Sequence, residues 1–446
     1  MADSVFHKDF KAMPWWWEWW HPNNELSQDP PRKVDVLVVG AGYGGLSTGL
    51  ELARSGVEVA VLERGNFGDG ASTRNGGGVS GGTTMGKGFS GKGVGGDPEA
   101  WKKVMARMLS DAADSLTQVE TVIRREGIDC YWRMNGRFSG AYTPRHYKEQ
   151  ESKVGTYNEK ALGTYMVPRE RQREEIASDY YHGGMVVERT GQLHPALYYG
   201  GLLKAAHRAG AKLCANCDAE KIERKAPGSG GGFRVLTSKG PIEAREVVIA
   251  TNGYTTELTP TLKRRLVPVA SHIIATEELP EDLVQSLIPK NRVVSDTKRV
   301  LCYFRQSPDN KRVIFGGRAR FTQVTPEVSA PVLHGYMLER WPQLKGVKVT
   351  HAWTGNVAFA FDFLPHMGQE QGMHYLMACN GSGVAMMSYL GYQTARKIAG
   401  GSNAAVNAFD GQPFPTVPFY NGNPEWVLPF VGAWYRTRDW WDRVRA

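Results

Sequence analysis

Gly40, Gly42 and Gly45 stand at the spacing G-x-G-x-x-G in GAGYGG, with Tyr43 and Gly44 between them. That pattern suits a turn whose main chain must approach a phosphate. The first glycine permits the tight bend, the second removes a Cβ from the ligand's path, and the third lets the following helix sit close to its sheet. Glu63, followed by Arg64, lies 18 residues past Gly45. A carboxylate there accepts hydrogen bonds from the 2′- and 3′-hydroxyls of a ribose and repels a 2′-phosphate. Five residues on begins GDGASTRNGGGVSGG (68–82), in which seven of fifteen residues are glycine. Such bare backbone fits a flexible linker, or a loop whose N–H groups close on a large planar or anionic ligand. The flanking sequence decides between them.

The elements that must position these groups follow in order. VDVLVVG (34–40) is an apolar run of strand length, as for a strand buried on both faces. Leu46, Leu50 and Ala53 recur at helical spacing, and Gly56 suits the residue just past a helix end. VEVAVLE (57–63) is a second strand, ending on Glu63. Strand, glycine turn, helix, strand and terminal acid make a dinucleotide-binding unit. The glycine-rich loop then leaves from the C-terminal edge of the sheet, which is the ligand side. An NAD site would continue there with another helix and strand, whereas a loop suits a longer cofactor with a ribityl chain and a flat ring.

Farther on, HPALYYGGLLKAAHRAG (194–210) reads as a helix begun at His194 and Pro195 and stopped at Gly210. The strands AKLCANCDAEKI, FRVLTSKG and PIEAREVVIATNGY follow, with APGSGGG (226–232) as a surface turn. Within 372–401 an apolar strand ends at Asn380, and Gly381, Ser382, Gly383 and Val384 open a helix. Its dipole and free N–H groups would stabilise negative charge. Residues 90–190 and 265–345 hold the charged, exposed runs HYKEQESK and PRERQREE and the strand-like runs VASHIIATEEL, RVLCYFRQS and KRVIFGGRARF. Helices on a mostly antiparallel sheet, folded as a second lobe, would place a substrate between the lobes.

Composition bounds the partners. The net charge of +9 (54 basic, 45 acidic residues) is spread in short groups such as Lys263-Arg264-Arg265. No nucleic-acid signature accompanies it, so most of it reads as solvated surface. Cys130, Cys214, Cys217, Cys302 and Cys379 form no even framework. The lone CxxC lacks a second pair or histidines for zinc, so reduced, buried thiols in a cytoplasmic protein and no metal are expected. No apolar run approaches the ~20 residues that span a bilayer. The N-terminal KAMPWWWEWWHP carries Trp15, Trp16, Trp17, Trp19 and Trp20. This arm is expected to pack over a groove of its own protein or of a second copy, and a membrane is not expected as a partner.

Gly40 to Glu63 followed by GDGASTRNGGG resembles the D-amino-acid-oxidase-type flavoproteins, which include glycine and sarcosine oxidases, and is most similar to the gamma-glutamylputrescine oxidase-like group, whose loop reads close to G-A-S-x-R-N-G-G. The resemblance runs from about Val34 to Gly401 and includes SLIPKN (286–291), WPQLKGVK (341–348) and WTGN (353–356). It implies an α/β fold, α+β taken whole. A Rossmann-like FAD-binding domain (33–90, 190–264 and 346–410) would interleave with a substrate domain (91–189 and 265–345), between the arm (1–32) and a C-terminal tail (411–446).

The resemblance also implies that Ser72, Thr73, Arg74, Asn75, Gly76 and Gly77 wrap a flavin. Ala219 would lie near the adenine, Ala250, Thr251 and Asn252 near the phosphates, and the helix opened by Gly381 to Val384 at the pyrimidine. Asn75 stands where some relatives carry a histidine bonded to the flavin, and HAWTGN lacks the cysteine others use, so FAD is expected to be non-covalent. His272, Arg318, Trp353, Phe359 and Asp362 become the candidates beside the ring. The implied activity is hydride transfer to flavin N5 from a primary or secondary amine or an amino acid, giving an imine that water hydrolyses, with reoxidation by oxygen or another acceptor. Gamma-glutamylated diamines are one substrate to try, although Arg318 and Arg320 would repel a cationic tail and welcome an acid. A 2-hydroxy-acid dehydrogenase feeding a membrane quinone, with the Trp-rich arm as its anchor, is the alternative. A flavin-binding interaction module without turnover is a third reading.

Overall fold

Apolar, β-branched runs dictate the centre of the molecule. In the computed structural model, which describes residues 4–81, 98–226, 231–401 and 407–446, Lys33–Val39 is the middle of a parallel layer. It pairs with Val59–Leu62 on one side and Gly240–Ile249 on the other, and Lys212–Cys214 and Met373–Met377 extend the layer at its two ends. Ala219–Arg224, Phe233–Thr237 and the start of Gly240–Ile249 form an antiparallel extension, and His366–Glu370 pairs with Met373–Met377. The run from 211 to 222 is therefore two strands, broken where Asn216 turns with φ of +48°. Cys214 ends the first of them, and Cys217 lies beyond it. The five cysteines are buried free thiols.

Helices Tyr43–Arg54, Pro195–Arg208 and Gly383–Gly400 cover one face of this layer and share one apolar core with it. The long helix Pro98–Glu126 joins that core through Met108, Ala112, Leu116, Val119 and Ile123. Its apolar stripe recurs every three or four residues and so packs against the cofactor-side helices. This segment had been expected in the other lobe. The boundary expected at 90/91 and most of the turn at 226–232 lie outside the described residues.

The second sheet has nine strands, in the order Phe6–Lys11, Val349–Phe359, Val267–Thr276, Val313–Gly317, Cys302–Gln306, Val293–Asp296, Arg137–Gly140, Gly184–Val187 and Thr164–Val167. Most of its pairings are antiparallel. Helix Pro326–Arg340 packs on one face through Ala330, Leu333 and Met337. Val349–Phe359 belongs to this sheet and not to the parallel layer with which 346–410 had been grouped. Its ten-residue register with Val267–Thr276 settles the matter.

The charged runs fold partly as expected. Pro144–Glu151 is a helix, but His146 and Gln150 on it are buried, and Arg169–Glu174 is a 3₁₀ turn with Gln172 inside. The arm is not separate either. Phe6–Lys11 runs parallel to Val349–Phe359 as an edge strand, and Trp15–Glu18 turns into the interior with Trp15 and Trp16 buried. The chain thus passes between the two sheets several times, and the space where they face each other is walled by both.

Candidate functional site

The glycine turn is shaped by close approach. Gly40 has φ of +102°, and a Cβ on Gly45 would lie 1.8 Å from the Gly40 carbonyl oxygen. Only a bare α-carbon lets the helix begin so near its strand. The helix starts at Tyr43 without a cap from its Ncap side chain, leaving N–H groups of its first turn beyond Tyr43 for a ligand. Tyr43 N–H donates to the Ser72 hydroxyl at 3.1 Å, joining the turn to the glycine-rich loop. At the end of the second strand, Glu63 accepts from the N–H groups of Ala41 (3.2 Å) and Gly65 (3.3 Å). Burial raises its pKa, opposed by those backbone bonds.

The loop is stitched from within and clasped from outside. Asn75 Nδ2 donates to Ser72 O at 2.9 Å, and its Oδ1 accepts from Gly77 N–H at 2.9 Å. Gly77 has φ of +74°, and a Cβ there would lie 2.2 Å from Leu193 O. Three indoles hold successive residues of the loop. Trp17 Nε1 donates to Thr73 Oγ1 (3.0 Å), Trp353 Nε1 to Arg74 O (2.8 Å) and Trp16 Nε1 to Asn75 O (2.9 Å). The Arg74 guanidinium lies 4.6 Å from the Trp17 ring and donates to Asp69 O. Trp20 fills gaps left by Gly68 and Gly200, where an added Cβ would meet its ring at 2.6 Å. The segment is therefore no linker, and the arm is part of the site. Its tryptophan content was the only sequence signal of that role.

A cavity of about 1050 Å³ opens between the sheets. Gly40, Gly42, Tyr43, Gly44, Glu63 and Arg64 line one end of it, and Ser72, Arg74, Asn75, Gly76 and Gly77 border it along the loop. Ala219, Ala250, Thr251 and Asn252 line it from the parallel layer, and Gly381, Gly383 and Val384 from the start of the last Rossmann helix. That helix also lacks a side-chain cap. Its strand ends earlier than expected, at Met377, because Ala378 and Asn380 turn with positive φ. Gly45, Thr73 and Ser382 sit behind the wall. Two uncapped helix ends, a half-buried carboxylate and a glycine-lined trough in one cavity fit an extended dinucleotide cofactor such as FAD.

Beside the loop the cavity also carries cationic side chains. Arg137, Arg305 and Arg318 line it with Lys298, Tyr303 and Phe359. Arg305 is buried and donates Nη1 to Leu193 O (2.8 Å) and Nε to Gln306 O (3.0 Å). Burial, with Arg133 nearby, pushes its guanidinium down to about 9. Burial, opposed by Tyr157, takes Arg137 down to about 10, and Arg137 Nε has no hydrogen-bond partner. Arg318 Nη1 donates to Arg299 O at 3.2 Å, and its guanidinium lies 5.1 Å from the Phe359 ring. Its pKa too is lowered by burial. No salt bridge joins any of the three to a carboxylate among the described residues. Burial raises the Tyr303 hydroxyl to about 12, and it meets Ser271 Oγ at 2.9 Å.

Of the five candidate catalytic residues, Arg318 and Phe359 reach the cavity, whereas His272, Trp353 and Asp362 do not. Side chains alternate along a strand, and His272 pairs with Thr354 on the face turned away from the neighbouring cavity-lining Ser271. Its Nδ1 meets Thr354 Oγ1 at 2.7 Å, and burial takes the imidazole down to about 4. Trp353 holds the loop from behind. Asp362 accepts from His366 Nε2 at 3.0 Å and from Leu364 N–H at 3.1 Å, fixing the turn into the next strand. Arg137 and Arg305 were not singled out from sequence. Arg305 stands in the run RVLCYFRQS, and nothing there distinguishes it from a solvated strand residue. No group of three or more His, Cys, Asp or Glu side chains converges as for a metal among the described residues.

Comparison with known proteins agrees with this geometry. The family described as DAO, FAD dependent oxidoreductase, matches residues 35–397. The chain is 31% identical over 412 residues to the gamma-glutamylputrescine oxidoreductase of Escherichia coli (strain K12), covering 91% of this chain and 92% of the relative. It is 32% identical over 419 residues to a probable oxidoreductase, OrdL, of Rhizobium meliloti (strain 1021), covering 92% of each. Glycine oxidase from Geobacillus kaustophilus has the same fold, with a TM-score of 0.69 at 20% identity over 87% of this chain and 99% of that one.

Proposed function

The chain belongs to the DAO family of FAD dependent oxidoreductases, and from that premise we propose that it oxidises an amine or amino acid bearing an anionic group to an imine, which water then hydrolyses. FAD, when bound, supplies the two-electron acceptor. Oxygen or another acceptor takes the electrons onward. The observation carrying this reading is the set Arg137, Arg305 and Arg318, cationic, cavity-lining and without carboxylate partners.

The chain's own residues divide the work. The turn from Gly40 to Gly44 at the start of its helix would take the pyrophosphate, and Glu63 would take the ribose hydroxyls. Ser72, Arg74, Asn75, Gly76 and Gly77 would line the ring, and the amide of Asn75, which donates to Ser72 O, offers no nucleophile for a covalent link. Ala219, Ala250, Thr251 and Asn252 would add main-chain contacts, and the helix start at Gly381, Gly383 and Val384 would stabilise negative charge on the bound group. Arg318 and Arg137 hold the substrate's anionic group, and Phe359 walls the reacting carbon. Three uncompensated positive charges also lower the pKa of a bound ammonium. The chain thereby favours the neutral amine that oxidation requires.

Anaerobic mixing with a panel of amines, amino acids and 2-hydroxy acids, followed by flavin absorbance, tests the reading. Carboxylate-bearing amines are expected to bleach the flavin at least roughly tenfold faster than the same amines without the carboxylate. Equal bleaching by plain diamines would sink the anionic preference. Bleaching by 2-hydroxy acids alone would replace amine oxidation with the dehydrogenase alternative.

The clasp makes a separate prediction. Trp16→Phe keeps an aromatic ring but leaves Asn75 O without its donor. FAD release, followed by the rise in flavin fluorescence on dilution, is expected to speed up by roughly tenfold. An unchanged release rate would remove the arm from the binding machinery.

A further inference from the structure

The C-terminal helix Leu428–Val444 is held by one stripe and shows the opposite one to solvent. Inward, Leu428, Gly432 and Asp439 are buried, and a Cβ on Gly432 would lie 2.7 Å from the Phe321 ring. Asp439 accepts from Val300 N–H at 2.9 Å and from Arg299 Nη1 at 3.2 Å. Asp442 also pairs with Arg299. Both acids of the helix are thus turned to the body of the protein.

Outward, at helical spacing, stand Phe430 (73% exposed), Trp434 (58%), Trp441 (44%) and Val444 (63%), flanked by Trp440. At 100° per residue, Arg438 and Arg445 run along one edge of this stripe and Arg436 lies beyond Trp440 on the other, while Arg443 turns back to the protein, 4.9 Å from the Tyr142 ring and 4.6 Å from that of Tyr180. Arg445 lies 4.2 Å from the Trp441 ring and Arg438 5.6 Å from that of Trp434. The face is therefore aromatic at its centre, cationic at both edges and free of exposed carboxylates.

We propose that this face docks the protein on an anionic lipid bilayer. Indoles and a phenyl ring seat at the depth of the headgroup boundary, and arginines on both flanks meet lipid phosphates. A second copy laid against the same face would set arginines against arginines, so charge complementarity selects an anionic surface. The helix lies on the surface. No helix among the described residues is long and apolar enough to cross a membrane. In the N-terminal arm Trp15 and Trp16 are buried in their own protein and cannot serve this role, and only Trp19 is exposed.

The test is co-sedimentation of the full-length, FAD-loaded protein with vesicles of phosphatidylcholine alone, or of phosphatidylcholine mixed with phosphatidylglycerol. Binding is expected to the anionic vesicles only and to weaken with salt. The double variant Trp434→Ser with Trp441→Ser is expected to keep its flavin absorbance and its turnover in solution while losing roughly a hundredfold in partitioning. Arg438→Gln with Arg445→Gln is expected to lose roughly tenfold. Wild-type protein left in the supernatant with both vesicle types would overturn the proposal, and so would a tryptophan variant that sediments like wild type. Light scattering that finds a dimer in the wild type and a monomer in the tryptophan variant would assign the face to a second copy instead.

Discussion

Arg318→Met is expected to raise the KM for a carboxylate-bearing amine by roughly a hundredfold while kcat changes by no more than about threefold. The side chain is half-buried between the Phe321 and Phe359 rings, with one main-chain acceptor, Arg299 O, and no acid. Methionine preserves most of the packing and removes the charge. An interaction made equally in the ground and transition states appears in KM alone. The amine lacking the carboxylate is the internal control, because its KM should hardly move. A parallel rise for both substrates would mean that Arg318 only supports the wall. Losing a positive charge should also shift the acid limb of kcat to higher pH, since the bound amine then keeps its proton more tightly.

Arg340→Met is expected to destabilise the protein by ~3–5 kcal/mol, measured by urea unfolding of the FAD-loaded protein. Arg340 Nη2 and Asp296 Oδ2 are 2.8 Å apart, and neither side chain has any solvent exposure. Arg340 further donates to Tyr181 Oη (3.1 Å) and Tyr336 O (2.7 Å). Its loss strands a buried carboxylate whose other oxygen takes only the N–H groups of Lys298 (3.3 Å) and Cys302 (3.2 Å). Adding Asp296→Asn should recover part of the stability, because the uncompensated charge, more than the lost contact, is the cost. If the double variant is as unstable as the sum of the single ones, the pair is not coupled. The effect reaches the site, since Ser295, Thr297, Lys298 and Arg299 line the cavity beside this pair.

The parts of the site made by local chain geometry were legible in the sequence. Gly40, Gly45 and Glu63 follow from the tight turn, the close helix and the strand end. The uncapped helix at Gly383 follows from its glycines. Whatever depends on which face of a strand points where was not legible. His272 and Ser271 are neighbours in sequence, and only the pairing of Val267–Thr276 with its neighbours turns one towards the cavity and the other away from it. Arg137 and Arg305 were missed for the same reason. An arginine in a strand looks solvated until its sheet is covered by another lobe. The placement of helix Pro98–Glu126 was missed differently, since an amphipathic stripe states that a face is buried but not against what.

Because Phe6 lies opposite Val349, the strand Phe6–Lys11 waits during synthesis for a partner strand made far later in the chain. Trp16 and Trp17 reach the loop from one side, and Trp353 completes the clasp from the other. A nascent chain can build the strand, glycine turn and helix of residues 33–54 early, by local contacts. The loop that borders the cavity can be clasped only after residue 353 has emerged. Cofactor capture is thereby tied to synthesis through residue 353, and a product truncated before Val349 would carry the phosphate-binding turn with a loop that lacks its Trp353 donor and an arm without its partner strand.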